Sequence, residues 1–200
     1  MDFITSKSLK YLSALIALTF LCLWGGCTPR KGVPEDVLDT PRHHISSGFK
    51  LLKKDYLFHA EREFKLALQL DPRSWNAHRG LGLVYAEKNE FTPALAHMQK
   101  AGAGAQTDEA RALVDAGFMR IYIRQGTEGW FEKVRRRYAD ALSHDPGLAD
   151  AHYYMGVAFK RENRLTEARG AFEKVVELDK GLLTEARQEL QAIDRMEKGE

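Results

Sequence analysis

The chain has 200 residues, 44% hydrophobic and 29% charged, with a formal net charge of +2. These proportions are typical of a folded chain of one or two domains, which excludes disorder throughout. The near-balance of charge argues against a strong nucleic-acid binder, and two cysteines exclude a disulfide-rich scaffold or a four-thiolate metal site.

The N-terminus has the pattern of a secretory signal. Lys7 and Lys10 precede an apolar run at 11–24, and Gly25-Gly26-Cys27 follows directly. The run is about 14 residues long, shorter than the roughly 20 that span a bilayer as a helix. The Gly-Gly-Cys ending resembles the lipobox of bacterial lipoproteins, a family in which this cysteine is lipidated and becomes the first residue of the mature chain.

The resemblance implies that 1–26 is a signal peptide and that Cys27 carries a lipid such as palmitate. One departure is Trp24, which stands where the family usually has Leu. An uncleaved membrane anchor or an ordinary cleaved signal are the alternatives. Because Thr28 rather than Asp follows the cysteine, the resemblance implies the outer membrane of a Gram-negative cell, with the protein facing the periplasm. Prolines in 27–41 favour an extended tether.

Small and large residues then recur with a fixed period. The members of each set below are separated by 34 and then by 74 residues. Because 74 is 34 plus 40, one unit of 40 residues lies among units of 34. The sets are Gly48, Gly82 and Gly156; Ala60, Ala94 and Ala168; Phe64, Met98 and Phe172. These markers resemble the tetratricopeptide repeat. The resemblance implies an all-α fold, an α-solenoid of about four helix-turn-helix repeats at 41–74, 75–108, 115–148 and 149–182 within a domain at 42–182.

The third repeat is the least regular. It matches the pattern only late, and Ile121-Tyr122 replaces Leu-Gly. We assign the six extra residues to the Gly102–Gln106 region and expect Gly126 and Gly129 to bracket the following turn. Candidate helix N-caps are Ser74, Thr92, Thr107 and Thr166.

The last segment, 183–200, is predicted to be a capping helix and tail. Leu183, Ala186, Leu190 and Ile193 recur at three- and four-residue steps, with charged residues on the other faces. Solenoids need such a polar-backed terminal helix.

In the tetratricopeptide family the first helices of the repeats line a concave groove. The equivalent positions here are mostly apolar and are edged by two cations. They are Ile45, Phe49, Leu52, Arg79, Leu83, Met119, Ile123, Tyr153, Val157 and Lys160. We therefore expect a partner's apolar or amphipathic segment in the groove. The alternative is internal filling by the tether or by the long helix of repeat three.

Some activities are not favoured by the sequence. Ile45 and Phe49 stand where chaperone-clamping members of the family carry Lys and Asn, so that activity is not implied. The sequence has no recognisable catalytic, phosphate-binding or haem motif, and the prediction is a protein that is not an enzyme and needs no cofactor.

Histidines and a basic run are weaker candidates for function. His44, His78 and His152 fall at the same repeat position and would point the same way, so they predict packing rather than a metal site. His43-His44 offers at most a weak metal ligand pair. The run Lys133–Arg137 is either a solvated face or a contact for anionic lipid or an acidic partner.

Together these patterns predict a non-catalytic adaptor anchored to the bacterial envelope by lipid, with envelope proteins as partners and no nucleic acid. The plan resembles lipoproteins that assemble type IV pilus secretins. A self-associating structural envelope protein and an envelope enzyme or cofactor carrier are the alternatives.

Overall fold

The computed structural model describes residues 39–199, so Cys27, the signal and most of the tether lie outside the described range. Within it the chain forms nine helices and no strand. They are α1 (Pro41–Lys53), α2 (Leu57–Leu70), α3 (Trp75–Glu87), α4 (Phe91–Gly104), α5 (Asp108–Gln125), α6 (Trp130–His144), α7 (Ala149–Arg161), α8 (Leu165–Leu178) and α9 (Leu183–Lys198). The predicted all-α solenoid is confirmed.

The helices pair in chain order. Helices α1–α2, α3–α4, α5–α6 and α7–α8 make the four most extensive contacts, and α9 packs against α8. Each pair buries one apolar stripe against its partner and another against the next pair, which is how a solenoid builds a continuous core from short helices.

Large side chains on the second helices pack into glycines on the first helices. A β-carbon on Gly48 would lie 2.7 Å from the Phe64 ring, and one on Gly156 would lie 2.7 Å from the Phe172 ring. Both rings are fully buried. The glycines therefore let the helices of a pair approach closely, and the ring fills the space beside them.

A polar pair links the two helices of each of the first three repeats. His44 Nδ1 lies 2.8 Å from Glu63, His78 Nδ1 lies 3.0 Å from His97, and Arg137 donates to Asp115 at 2.7 Å. The sequence separations are 19, 19 and 22 residues. Helix α5 is therefore displaced by three residues relative to α6, compared with the first helices of repeats one and two. Three of the six extra residues lie between Asp115 and Arg137.

This register corrects the sequence-based alignment of repeat three. Gly117 takes the place of Gly80, since its β-carbon would lie 2.6 Å from Met98 of the preceding repeat, as that of Gly80 would overlap the Phe64 ring. Met119 then takes the place that glycine holds in the other repeats and is fully buried. Tyr122 aligns with Tyr85 and the extra residues are divided between the two sides of α5, so their assignment to Gly102–Gln106 alone was wrong.

Local signals set several helix ends. The Thr107 side chain accepts from the Ala110 amide at 3.2 Å. Gly126 (φ 60°) and Gly129 (φ 69°) bracket the α5–α6 turn in the left-handed region. Ser74 holds an N-cap position without a side-chain hydrogen bond. The prediction for Thr92 and Thr166 was wrong, because α4 and α8 begin one residue before them.

Helix α9 completes the solenoid. It buries Ala186 and Ile193 against the last repeat. Among the described helices, none has the length and apolarity to cross a bilayer.

Candidate functional site: the concave groove

The first helices and α9 enclose a cavity of about 670 Å³. Lys53 on α1 lies 3.4 Å from Glu185 on α9, so the two ends of the solenoid meet across its mouth. Seven residues predicted for the groove line this cavity: Phe49, Leu52, Arg79, Leu83, Ile123, Tyr153 and Val157.

The other three predicted residues do not line it. Met119 is fully buried in the core, because the register of α5 turns it away from the groove and presents Arg120 instead. The placement of Met119 in the groove is therefore wrong. Lys160 forms an ion pair with Glu189, which does line the cavity. Ile45 lies one helical turn before Phe49 and is half-buried outside the cavity lining.

The sequence reasoning missed most of the charged lining. The missed residues are Lys53, Glu87, Arg120, Arg124, Tyr154, Arg161, Leu182, Glu185 and Glu189. For Arg120 a signal was present: aligning Asp115 with His78 and Tyr122 with Tyr85 gives the correct register. Closure of the groove by α9 depends on the curvature of the solenoid, for which the sequence holds no local signal.

The apolar wall of the groove is continuous with the core. The Phe49 ring meets Phe64 edge-on at 4.9 Å between centroids, and Tyr153 meets Phe172 at 5.6 Å. Substitution of Phe49 or Tyr153 by a charged residue would therefore also loosen repeats one and four. Ile123 and Val157 are half-buried lining residues that make no aromatic contact of this kind, so they suit surface probes better.

Most charges around the cavity are paired. Glu87 lies 3.1 Å from Arg124 and accepts from Arg120 Nε at 3.0 Å. Burial alone would lower the pKa of Arg120, but Tyr154 and Glu87 outweigh it and raise the pKa. Arg124 also donates to the Ala86 carbonyl at 2.7 Å, capping the end of α3. Arg120 and Arg124 therefore hold α5 against α3.

Arg79 is different, because no carboxylate of the described chain lies within 4 Å of it. Its Nε donates to Asn76 at 3.1 Å, and its guanidinium lies 4.6 Å from the centroid of the Phe49 ring. Within the same range, no hydrogen bond engages its two terminal nitrogens. Burial lowers the pKa of Arg79, partly offset by the charge of Asp150. The groove thus holds a half-buried cation able to bind a planar anion.

Asp150 and Arg161 are further lining charges without an ion pair in the described range, although Arg161 donates to the Ile123 carbonyl and lies 4.7 Å from the centroid of Trp130. Burial raises the pKa of the Asp150 carboxyl, while Arg79 and Arg120 act in the opposite direction. Tyr153 beside it has its pKa raised to about 12, chiefly by burial. The phenol is therefore neutral near pH 7 and can donate a hydrogen bond.

The alternative of internal filling can be tested in part. The long helix α5 forms one wall of the cavity through Arg120, Ile123 and Arg124 and does not occupy it. The tether falls outside the described range, so its occupancy of the groove stays a hypothesis.

The histidines and the basic run contribute to packing between helices. His44, His78 and His152 bond to neighbouring helices, with His152 Nδ1 lying 2.9 Å from the Tyr138 hydroxyl. Residues 39–199 contain no cluster of three or more metal-ligating side chains. Arg137 pairs with Asp115 and lies 4.1 Å from the centroid of Phe118, whereas Arg135 and Arg136 are exposed. Only part of Lys133–Arg137 is therefore a solvated face.

Two family models of the tetratricopeptide repeat match the sequence, at 59–116 and 149–182. The chain contains tetratricopeptide repeats. Tetratricopeptide domains generally mediate protein–protein interaction, and the fold is typically a non-catalytic scaffold. A comparison with curated proteins finds no match.

Solved tetratricopeptide structures share the fold. A thermophilic TPR protein of Thermus thermophilus, TTC0263, superposes with a TM-score of 0.64 at 17% identity, covering 80% of this chain and 83% of that one. A structure titled for the functional characterization of Pseudomonas aeruginosa pilF gives a TM-score of 0.58 at 21% identity, covering 80% and 69%. At these identities the likeness shows the fold alone.

Proposed function

We propose that this tetratricopeptide protein is a non-catalytic adaptor, anchored to the bacterial envelope through a lipid on Cys27, that holds a segment of an envelope protein in its groove. The observation that carries the proposal is the cavity of about 670 Å³, which combines an apolar wall with Arg79, a cation lacking an anionic partner in the described chain. Binding sites are typically cavities of this size that combine apolar surface with polar groups able to orient a ligand.

The lining defines the chemistry of the segment. Leu52, Leu83 and Val157 suit the apolar face of an amphipathic helix or strand. A carboxylate on that segment would accept from the terminal nitrogens of Arg79, and an N–H donor or cation would satisfy Asp150. Glu87, Glu185 and Glu189 already have cationic partners, so they compete less for the segment's charges.

In-cell photo-crosslinking tests the groove. A photoreactive amino acid replaces Ile123 inside the groove, with Ser143 on the outer side of α6 as the control position. We expect an envelope protein to crosslink from position 123 only, and Arg79→Gln to reduce its yield at least about fivefold. Arg135→Gln, which alters an exposed arginine outside the cavity, should leave the yield unchanged.

Three results would contradict the groove proposal. The same products from both positions would place the partner on another surface. Crosslinks within one chain would indicate internal filling, and crosslinks between two copies would favour the self-associating structural protein.

The lipid anchor has its own test. Cys27→Ser should abolish fatty-acid labelling and release the protein from the membrane fraction. Labelling that persists in this variant would mean that Cys27 is not the lipid site. Fractionation of outer from inner membranes would test the proposed outer-membrane location facing the periplasm.

A role in assembling type IV pilus secretins is a more specific form of this proposal. It is supported by the order of a lipobox-like signal followed by repeats, and it predicts a secretin subunit among the crosslinked proteins. The shared fold with the pilF structure is compatible with that role and does not by itself favour it.

A further inference from the structure

The turn between α1 and α2 presents three aromatic rings to solvent. Tyr56 is 57% exposed and Phe58 is 72% exposed. The His59 ring lies edge-on to both, at 6.4 and 5.6 Å between centroids. Burying either ring in an apolar environment would be favourable, and no residue of the described chain covers them. We refer to Tyr56, Phe58 and His59 as the aromatic turn.

The fold does not require rings at these positions. The residues equivalent to Tyr56, Phe58 and His59 are Glu90, Thr92 and Pro93 in repeat two, and Arg164, Thr166 and Glu167 in repeat four. Each of these turns has a residue in the left-handed region at the equivalent position, since Asp55, Asn89 and Asn163 all have φ near 60°. The three turns therefore share one backbone, and only repeat one exposes rings there. In repeat three Trp130 stands at the place of Tyr56 but is half-buried.

Cations flank the aromatic turn. Lys53 and Lys54 precede it and are exposed, while Arg62 and Lys65 lie with Phe58 and Leu66 along a shallow cleft on α2. Three of these cations already have carboxylate partners, since Lys53 pairs with Glu185, Arg62 with Glu63 and Lys65 with Glu61, and Asp55 is exposed within the turn. Exposed pairs of this kind are weak, so lipid phosphates can compete for the cations. Exposed aromatic rings beside Lys and Arg are the composition of surfaces that lie in the headgroup region of a bilayer.

The chain length allows this turn to reach the membrane of its own anchor. From Cys27 to Asp39 the chain can extend at most roughly 40 Å. Helix α1, which separates that point from the aromatic turn, is about 20 Å long. A lipid on Cys27 would also hold the domain close to the bilayer, so that a surface of weak intrinsic affinity stays docked.

We propose that the aromatic turn docks repeat one onto the surface of the bilayer, with Tyr56 and Phe58 at the boundary of headgroups and acyl chains and the flanking cations near lipid phosphates. The inference rests on the proposed lipid anchor. It concerns a different surface from the groove, and it adds an orientation: the start of α2 faces the membrane.

Quenching by brominated lipids tests the docking. The lipidated protein is reconstituted in phosphatidylethanolamine–phosphatidylglycerol vesicles whose acyl chains carry bromine. A fluorescent amino acid replaces Lys54 beside the aromatic turn or, as the matched control, Glu162 at the equivalent position of repeat four. We expect at least about twofold stronger quenching at position 54 than at position 162.

The double variant Tyr56→Ser, Phe58→Ser should reduce quenching at position 54 to the value at 162. Helical content and the mass of the acylated Cys27 should stay unchanged. Both side chains are exposed, so the variant should fold. Equal quenching at 54 and 162, or undiminished quenching in the double variant, would overturn the docking.

Failure of the anchor gives a different result from failure of the docking. Mass spectrometry that finds no acyl chain on Cys27 would refute the anchor. The same chain coupled through Cys27 to a maleimide lipid would then still decide whether the aromatic turn contacts the bilayer.

Discussion

Repeat three differs from the other repeats in how its helices meet. In repeats one, two and four a glycine (Gly48, Gly82 or Gly156) faces a large side chain on the second helix. Repeat three has the fully buried Met119 at that place, with Val134 opposite where the others have alanine. Tyr138 holds the place of the large second-helix side chains in repeat three but is only half-buried. The same solenoid therefore accepts two packing solutions: a glycine that faces a buried large side chain, or a buried Met119 with the second-helix ring partly exposed.

The difference also reaches the groove. Because α5 is displaced by three residues relative to α6, it presents Arg120 and Ile123 to the cavity. Arg120 binds Glu87 on α3, so Arg79 on the same helix has no carboxylate partner in the described chain. An irregular repeat thus alters the charge of the surface that the regular repeats build.

Exchanging the two packing solutions should have the largest effect. Met119→Gly removes a buried side chain and weakens a helix, and should lower the free energy of unfolding by about 3–5 kcal/mol. Gly156→Met forces a side chain into the Phe172 ring and should cost about 3 kcal/mol. Urea unfolding measures both, and a change below about 1 kcal/mol in either would contradict the assigned register.

The polar pair of repeat three should have the next largest effect. Asp115 is only 6% exposed, and burial raises the pKa of its carboxyl despite the bond from Arg137. Arg137→Met should cost about 2 kcal/mol, less than for a fully buried pair because the arginine is partly exposed. Arg136→Met, at its exposed neighbour, should cost less than about 0.5 kcal/mol.

The pH dependence of this variant has a definite sign. When folding raises the pKa of a carboxyl, the free energy of unfolding falls as pH rises through that folded pKa. Loss of Arg137 should raise the pKa of Asp115 further. The destabilisation by Arg137→Met should therefore be larger at pH 7 than at pH 4, and the opposite order would contradict the pairing.

Histidines of repeats one and two should give opposite pH effects of smaller size. Burial, followed by the charge of His78, lowers the pKa of His97 to about 4. Its contribution to stability is present above pH 6.5 and is lost as pH falls from 6.5 towards 4, by about 1–2 kcal/mol after allowing for partial exposure. His97→Gln should therefore reduce the loss of stability between pH 6.5 and pH 4.

Burial alone would lower the pKa of His44, but hydrogen bonds to Glu63 and Asp39 raise it. Its contribution is therefore present below pH 6.5 and is lost as pH rises through its folded pKa. His44→Gln should destabilise the protein more at pH 5 than at pH 8. Thermal unfolding across pH measures both variants, and changes of the same sign would contradict the assignment.

The smallest effect concerns a glycine without a packing role. Gly170 on α8 is exposed, and a β-carbon there would meet no atom within 4 Å. Gly170→Ala should raise the free energy of unfolding by about 0.4–1 kcal/mol, whereas Gly156→Ala should lower it. Two values of equal sign would mean that close packing does not distinguish these glycines.

The regular part of the fold could be predicted because repeats one, two and four carry the same residue types at the same positions. Gly48, Gly82 and Gly156 fix the first helices, and Phe64, Met98 and Phe172 fix the second. Repeat three could not be aligned on Leu-Gly, because Phe118-Met119 stands at that place on α5. The apolar lining of the groove could be predicted from the repeat positions. Glu185 and Glu189 could not, because they lie on α9 and line the groove only through the curvature that brings α9 to α1.

The most direct measurement of the central claim is a double-mutant cycle between Arg79 and the carboxylate of the crosslinked segment. Calorimetry would compare the protein and Arg79→Gln, each with a synthetic peptide of that segment carrying the carboxylate or its amide. We predict a coupling energy of at least about 1.5 kcal/mol. Additive losses, with no coupling between Arg79 and the carboxylate, would contradict the account of the groove.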